Sequence, residues 1–408
     1  METYSGLFNI ISLLLFFSSL VIILVRRNKR QTRLPPGPWR LPLIGSLHRL
    51  TGALPHHSLR NLAQRYGPLM YLQLGQVPMV VISSPAIAKQ VLKTHDLAFA
   101  NRPESTSTTI IFYNNKDLAF SPYGNYWRQM RKTSMVQLFS AKMVKTFSAI
   151  RKDELSSLLS SIRNSMSMTG TSTVINITEK IIWFTSSIIC RSVFGLISED
   201  QDEFIANLKE VLLLSGGFDV ADLFASWKLL HKMSSAKSKL VNAHGKVDAF
   251  IEDILKKHTK NGNKGNGEFG DEHLVDVLLG IKENSAQLQC PIINDDVKAV
   301  LFGIIAGGAD TSSTIIIWML SELMKNPNNM AKAQREVRQV FQGMKNYDEG
   351  DLEKLTYLKL VIKETLRLYP SIPLVPRECR EQIDIDGYTI PHKTNPQRFW
   401  DDLKHTGD

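Results

Sequence analysis

A chain of 408 residues with 43% hydrophobic and 8% aromatic residues can bury a large core, and neither an internal repeat nor a clear interior linker divides it. The formal net charge is +10, partly local in Arg26, Arg27, Lys29, Arg30 and Arg33, and no interleaving of bases with aromatics suggests a nucleic-acid partner. Three cysteines, Cys190, Cys290 and Cys379, are too few and too scattered for a disulfide framework or a zinc site, which agrees with a reducing cytosolic compartment.

Leu7 to Val25 carries no charge and is about long enough to cross a bilayer as a helix. A cleaved signal peptide is the rival reading. Against it, Glu2 and no basic residue precede the apolar run, and no small-x-small cleavage site follows. Residues 7–25 therefore read as a single-pass anchor, with the N-terminus lumenal and everything after Arg26 cytosolic by the positive-inside rule. Residues 26–38 form a basic hinge ending in Leu34-Pro35-Pro36-Gly37-Pro38, stiff and extended, and residues 39–408 form the main domain. Asn176-Ile177-Thr178 matches the glycosylation pattern but, with this topology, stays unmodified.

Beyond the hinge the pattern is mainly helical with a little strand. Leu69 to Gly75 and Met79 to Ser83 read as an antiparallel pair. Helices are expected near Leu54 to Tyr66, Tyr123 to Leu138, Ala141 to Met168, Glu179 to Phe194, Glu203 to Leu214 and Trp227 to His258. Further helices are expected over Asp295 to Leu323, Pro327 to Gln342 and Leu355 to Leu368. Lys256 to Gly270 is rich in lysine, asparagine and glycine and reads as a mobile surface loop. Short strands follow around Ile372 to Val375, Ile383 to Ile385 and Tyr388 to Ile390.

Gly307-Gly308-Ala309-Asp310-Thr311-Ser312 interrupts the long apolar run from Val297 to Leu320. Each glycine costs roughly 1 kcal/mol against alanine in a helix interior, and a buried carboxylate needs a partner. Two readings follow. One is a helix-packing contact that needs small residues, with Asp310 facing solvent. The other is a helix opened at this point into a notch, where a hydroxyl and a carboxylate hold a small polar molecule and pass it protons.

Glu364 and Arg367 share one helix face, and such pairs at the surface contribute about 0.2 to 0.5 kcal/mol. The helix is apolar on most of its circumference and stops at Pro370, which allows the pair to be buried. A buried pair needs a third group. Arg398, in a turn at Asn395-Pro396-Gln397-Arg398-Phe399, offers one.

The anchor, the Pro35-Pro36-Gly37-Pro38 segment, Trp127-Arg128-Gln129-Met130-Arg131-Lys132, the hexad, Glu364-x-x-Arg367, Pro376-Arg377-Glu378 and Pro396-Gln397-Arg398-Phe399 occur in an order that resembles the haem-thiolate monooxygenases, cytochrome P450, of plant microsomal type. The resemblance extends to about Thr394. It implies a mainly α fold with small β-sheets (α+β), one large haem domain behind the anchor, and residence in the endoplasmic reticulum membrane. Trp127, Arg131 and Arg377 would lie near the haem propionates and Gly307 and Gly308 against the haem. Asp310 and Thr311 match the acid-alcohol pair that supplies protons in oxygen activation, and Glu364, Arg367 and Arg398 match a structural triad.

The family also implies insertion of one oxygen atom from dioxygen into a small lipophilic secondary metabolite such as a terpenoid, alkaloid or phenolic. Electrons come from an NADPH-dependent flavoprotein reductase. Thr109 to Tyr113 and Glu203 to Phe218 are expected over the haem, and Ile111, Phe112, Ile372, Leu374 and Val375 border the substrate cavity. The sequence departs from the family in two places. No Phe-x-x-Gly-x-Arg-x-Cys-x-Gly loop supplies the axial cysteine. Thr394 also runs straight into Asn395 where the family has a longer, partly helical stretch, as an internal deletion followed by early termination would give. Cys190 reads as a structural thiol on a helix, Cys290 lies in a connection, and Cys379 is expected to be exposed on a strand. The resulting expectation is a family member inactive by itself, or alternatively a non-catalytic anchored isoform that competes for reductase or membrane partners.

Overall fold

The computed structural model of the protein describes residues 33–51, 54–167, 174–195, 201–216, 220–227, 235–261, 273–344 and 348–399; the expected anchor at 7–25 lies outside them. These residues fall into two compact units. The first contains residues 33–100, 223–226 and 374–399, and the second contains residues 101–222 and 227–373.

In the first unit, β1 (Leu69–Leu74) and β2 (Val77–Ile82) pair antiparallel from Leu69↔Ile82 to Leu74↔Val77. Their apolar side chains are buried along nearly the whole of both strands, so the expected pair forms about where its β-branched and aromatic content puts it. Helix α1 (Pro55–Tyr66) starts on a proline, which is preset for a first helical turn, and α2 (Pro85–Lys89) is capped by Ser84, whose hydroxyl accepts from the Ile87 amide. The remaining strands are β3 (Leu374–Pro376), β4 (Ile383–Ile385), β5 (Tyr388–Ile390) and β6 (Asn395–Phe399).

One feature of this unit corrects the sequence reading. Asn395–Phe399 is not a turn but strand β6, parallel to β2 on one side and antiparallel to β3 on the other, in the order β1-β2-β6-β3. Pro396 hides it in the sequence, because proline removes a ladder donor and is rare in an inner strand. The proline-rich segment, for its part, is bonded into the unit. Pro36 accepts from the Tyr71 amide at 2.8 Å, Arg33 accepts from the Thr389 amide at 2.9 Å, and Pro35 and Pro38 are buried.

The second unit is helical: α3 (Thr106–Ile111), α4 (Asn125–Thr133), α5 (Ala141–Thr146), α6 (Ser148–Ser167), α7 (Ile177–Phe194), α8 (Gln201–Ser215), α9 (Ser235–Asn261), α10 (Leu274–Glu283), α11 (Asn294–Lys325), α12 (Pro327–Val340) and α13 (Thr356–Leu368). Asn176, the residue of the glycosylation pattern, is the N-cap of α7 and accepts from the Glu179 amide at 3.3 Å. The start of the expected lysine-rich loop, Lys256 to Asn261, is helical. Ion pairs one turn apart, Lys256 with Glu252 and Lys257 with Asp253, support it there.

The core of this unit centres on α11, whose Val297, Val300, Leu301, Phe302 and Ile305 are buried among Val193 and Phe194 of α7, Phe204 and Leu208 of α8, Val247 and Ile251 of α9 and Leu278 of α10. Among the described residues, α11 alone is long and apolar enough to cross a bilayer, and this half of it is packed inside protein instead.

The tight turn between Leu41 and Gly45 is a sensitive point of the first unit. The two residues exchange backbone hydrogen bonds of 2.9 Å, Gly45 has φ +61°, and an added Cβ there would lie 2.2 Å from the Gln73 carbonyl oxygen. Gly45→Ala is therefore expected to destabilise the fold by about 2 kcal/mol or more, read as a lower denaturant midpoint. An unchanged midpoint would show that the turn relaxes freely.

Candidate functional site

Helix α11 runs unbroken through the hexad, so the backbone does not open there. The Thr311 hydroxyl donates to the Gly307 carbonyl at 2.5 Å and the Ser313 hydroxyl to the Asp310 carbonyl at 2.9 Å, a back-bonding pattern that bends helices without interrupting them. The two glycines have different reasons. An added Cβ at Gly308 would lie 2.8 Å from Ile189 Cδ1, so this glycine lets α7 approach closely, whereas nothing stands within 4 Å of Gly307. Between the same helices, the buried Thr185 hydroxyl donates to the Ala309 carbonyl at 3.1 Å.

Asp310 is exposed and Thr311 half-buried, and the Thr311 carbonyl accepts from the Ser371 hydroxyl at 3.0 Å. The hexad follows the packing reading of the sequence: Gly308 serves a close helix contact, Asp310 faces solvent, and no notch opens in the backbone. On the packing side, α6, α7 and α11 enclose an apolar recess of about 400 Å³ lined by Leu155, Phe184, Ile188, Ile189, Gly308 and Ile316.

Trp127 and Arg131 share one face of α4, as their spacing requires, with the guanidinium 5.4 Å from the indole centroid. The Trp127 N–H is already used: it donates to the Leu118 carbonyl at 3.0 Å. Arg131 is exposed. Arg377 belongs to the first unit and is half-buried, with one nitrogen 3.5 Å from Asp96 and the buried Nε without a hydrogen-bond partner. Burial pulls its pKa below the usual arginine value, offset by Asp96. A buried orphan donor on an arginine fits an anionic group approaching it.

Glu364 and Arg367 form a bidentate pair of 2.6 and 2.8 Å. The pair is exposed rather than buried, with side-chain exposures of 55% and 40%, because α13 also leaves Leu360, Ile362 and Leu366 at the surface. The bond to Arg367 lowers the Glu364 pKa. The backbone of Arg398 lies in β6, and its side chain is outside the described ones. Ile111 and Phe112 are buried in the core of the second unit, where Phe112 stacks on Phe120 at 5.0 Å and meets Phe302 edge-on at 5.6 Å. Ile372 is exposed just before β3 rather than within it, and Leu374 and Val375 are half-buried in the strand.

The cysteines decide how well a thiolate-held haem fits these residues. Cys379 is fully buried, correcting the exposed position expected for it; its thiol donates to the Glu381 carbonyl at 2.9 Å, and burial pushes its pKa up to about 11. Burial in the core of α7 pushes Cys190 up to about 12. Cys290 is partly buried, and its backbone N–H and C=O are both tied to the Gln129 amide, at 3.0 and 2.6 Å. Burial disfavours the anionic form of both Cys190 and Cys379. Either thiol would have to lose a proton and leave its packed position to reach a metal.

Sequence reasoning missed Asp117. Its carboxylate accepts from the Ala119 and Phe120 amides at 2.9 and 3.0 Å beside Gly303 of α11. Burial pushes its pKa up to about 6. An aspartate two residues before an Ala-Phe pair is a turn signal of the kind that could have drawn attention to it.

The family description cytochrome P450 matches residues 35–397. The chain belongs to the cytochrome P450 family. It is 50% identical to premnaspirodiene oxygenase of Hyoscyamus muticus over 97% of this chain and 80% of that one. It is 49% identical to 5-epiaristolochene 1,3-dihydroxylase of Nicotiana tabacum over 97% and 81%, and 45% identical to tabersonine 3-oxygenase of Catharanthus roseus over 92% and 74%. A zebra fish cytochrome P450 solved with progesterone superposes with a TM-score of 0.71 at 21% identity, over 86% of this chain and 79% of that one, which speaks for the fold. By family this P450 is a monooxygenase oxidoreductase, and its mainly helical fold with small sheets is the family's.

The different surroundings of the two glycines give a measurable contrast. Gly307→Ala is expected to stabilise the protein by about 1 kcal/mol, the helix-propensity difference. Gly308→Ala should gain less, since Ile189 must shift, and adding Ile189→Val should restore the gain. Equal melting shifts for the two single variants would contradict the packing role of Gly308.

Proposed function

We propose that this P450 acts on a small lipophilic secondary metabolite of the terpenoid or alkaloid class, with electrons from an NADPH-dependent flavoprotein reductase at the endoplasmic reticulum membrane. The reading is supported by the names of relatives about half identical to this chain. The observation that carries it is the hexad, where Asp310 and Thr311 stand at an accessible edge of an otherwise apolar helix. When bound, haem supplies the oxygen-activating chemistry. In this reading Thr311, its hydroxyl anchored on Gly307, would position a proton donor, Asp310 would relay protons from solvent, and Arg131 in one unit and Arg377 in the other would each offer a cation to an anionic group of the cofactor.

The same reading includes a limit. In this reading these residues by themselves do not hold haem through a thiolate, since Cys190 and Cys379 are buried where the anionic sulfur is disfavoured. Expressed in microsomes, reduced and exposed to carbon monoxide, the chain is expected to give no Soret band at the thiolate-ligated position and no monooxygenase turnover with reductase. A band at that position would overturn the limit and leave the substrate class standing.

A further inference from the structure

Three helix ends of the second unit meet around one imidazole. His258 lies in the last turn of α9, Asp276 in the first turn of α10, and Phe194 is the last residue of α7. The His258 Nδ1 is 2.6 Å from Asp276 Oδ1, and the Phe194 backbone carbonyl accepts a further hydrogen bond from the same ring. That carbonyl, one of the last four of its helix, has no donor within α7. A neutral imidazole carries one N–H for these two acceptors, whereas an imidazolium carries two.

The charges around the ring also favour the protonated form. The carbonyl ends of α7 and α9 carry partial negative charge and favour a cation, and the amide end of α10 favours an anion. Arg191, the other cation in the last turn of α7, is engaged by Glu154 and Asp153. His273, just before α10, acts on Asp276 and packs against Gly195, where an added Cβ would lie 2.7 Å from its Nε2. The Asp276 carboxylate also accepts from the His273 amide at 3.1 Å, so the same group starts α10 and holds His258.

Only the imidazole of this pair titrates near neutral pH. Burial works against the charge on Asp276, but its bonds to His258 and to the His273 amide hold its pKa below the usual carboxylate value. The bond to Asp276 raises the His258 pKa above the ordinary histidine value; burial opposes the rise and Phe194 adds to it. A raised value in the folded state means that the stabilisation is fully present below about pH 6.5, the unfolded value, and is lost as the pH rises through the folded one.

We propose that His258 is a proton-dependent clasp: protonated, it ties the ends of α7, α9 and α10 together through Asp276 and the Phe194 carbonyl, and neutral, it releases the end of α9 and the start of α10. Helix α7 is the one that sets Ile189 and Thr185 against the hexad of α11, so the clasp fixes the end of a helix on which that contact depends.

Hydrogen exchange on the full chain, corrected for the intrinsic pH dependence of amide exchange, tests the clasp. Between about pH 6 and pH 8.5 the protection of residues 256–261 and 274–279 should fall by about threefold or more, and by no more than about tenfold per pH unit, the limit for one proton. Helix α12 should keep its protection over the same range. His258→Gln keeps a donor but not the charge, and should show the low protection at every pH. Should His258→Gln fail to fold, Asp276→Asn removes the negative charge while leaving an acceptor for the His273 amide, and must move the fall to about pH 6.5 or below. Protection of these two ends that does not change with pH overturns the clasp. So does a fall of equal size in His258→Gln, which would assign the titration to His273.

Discussion

The contact between α7 and α11 is the constraint on which the second unit depends. Gly308 lets Ile189 come close enough that an added methyl would collide, and the Thr185 hydroxyl reaches across to the Ala309 carbonyl in the same short stretch. Close approach brings the larger side chains of both helices into one core, with Val193 and Phe194 meeting Val300, Phe302 and Ile305. Each such side chain contributes about 1.5 to 3 kcal/mol on full burial, far more than the roughly 1 kcal/mol that a glycine costs in a helix. A small residue at the crossing is therefore favourable overall, and it fixes the rotation of α11. That rotation leaves Asp310 exposed and Ala309 buried.

Buried charge obeys the same logic of compensation. Lys298 enters the core of this unit with two carboxylates in reach, and Arg191 is paired with the nearly buried Glu154 at 2.7 Å. Removing one partner from such a pair leaves an uncompensated charge, which is costlier than never having had the pair. Arg377 departs from the rule with a buried Nε that has no partner. Within the first unit the nearest relief comes from Asp96 and the Phe99 carbonyl, both at 3.5 Å and both reached by the other end of the guanidinium. A donor held in that state favours an external anion.

Much of the helical fold was legible because long amphipathic or apolar segments have few alternatives. The bounds of α7, α11 and α13 lie within a few residues of those read from the sequence, and the hexad stood out because two adjacent glycines are rare in such a run. Short elements held by tertiary contacts were not legible. Residues 274–283 follow a glycine-rich stretch that masks the start of α10, although the Asp276 carboxylate accepts from the His273 amide at 3.1 Å to begin it. β6 contains a proline that argues against a strand, and only the facing edges of β2 and β3 make it one. Cys379 was misread because its neighbours are charged. In an extended segment successive side chains point to opposite sides, so the exposed Arg380 is compatible with a fully buried Cys379. The burial of Glu364 and Arg367 was overestimated for a related reason: an apolar helix surface shows only that burial is possible, and here part of that surface is exposed.

Two of the three cysteines sit where the anionic form of sulfur is disfavoured. A thiolate ligand needs a site that stabilises negative charge on sulfur, from nearby cations, a helix N-terminus or the metal itself. Cys190 stands in the apolar core of α7, where no charge offsets the loss of solvent, and at neutral pH a thiol near pKa 12 is ionised in roughly one molecule in a hundred thousand. Cys379 is disfavoured as an anion first by burial and then by the charges of Glu381 and Glu378 beside it, and its thiol donates a hydrogen bond to the Glu381 carbonyl. Turning either residue toward iron would mean breaking a packed core as well as ionising the sulfur. The free energy for both steps would have to come from the metal bond alone. The acid and alcohol on α11 require no such rearrangement: Thr311 is already anchored and Asp310 already accessible. Asp310 and Thr311 are thus available without any change of fold, whereas Cys190 and Cys379 sit where an anionic sulfur is disfavoured.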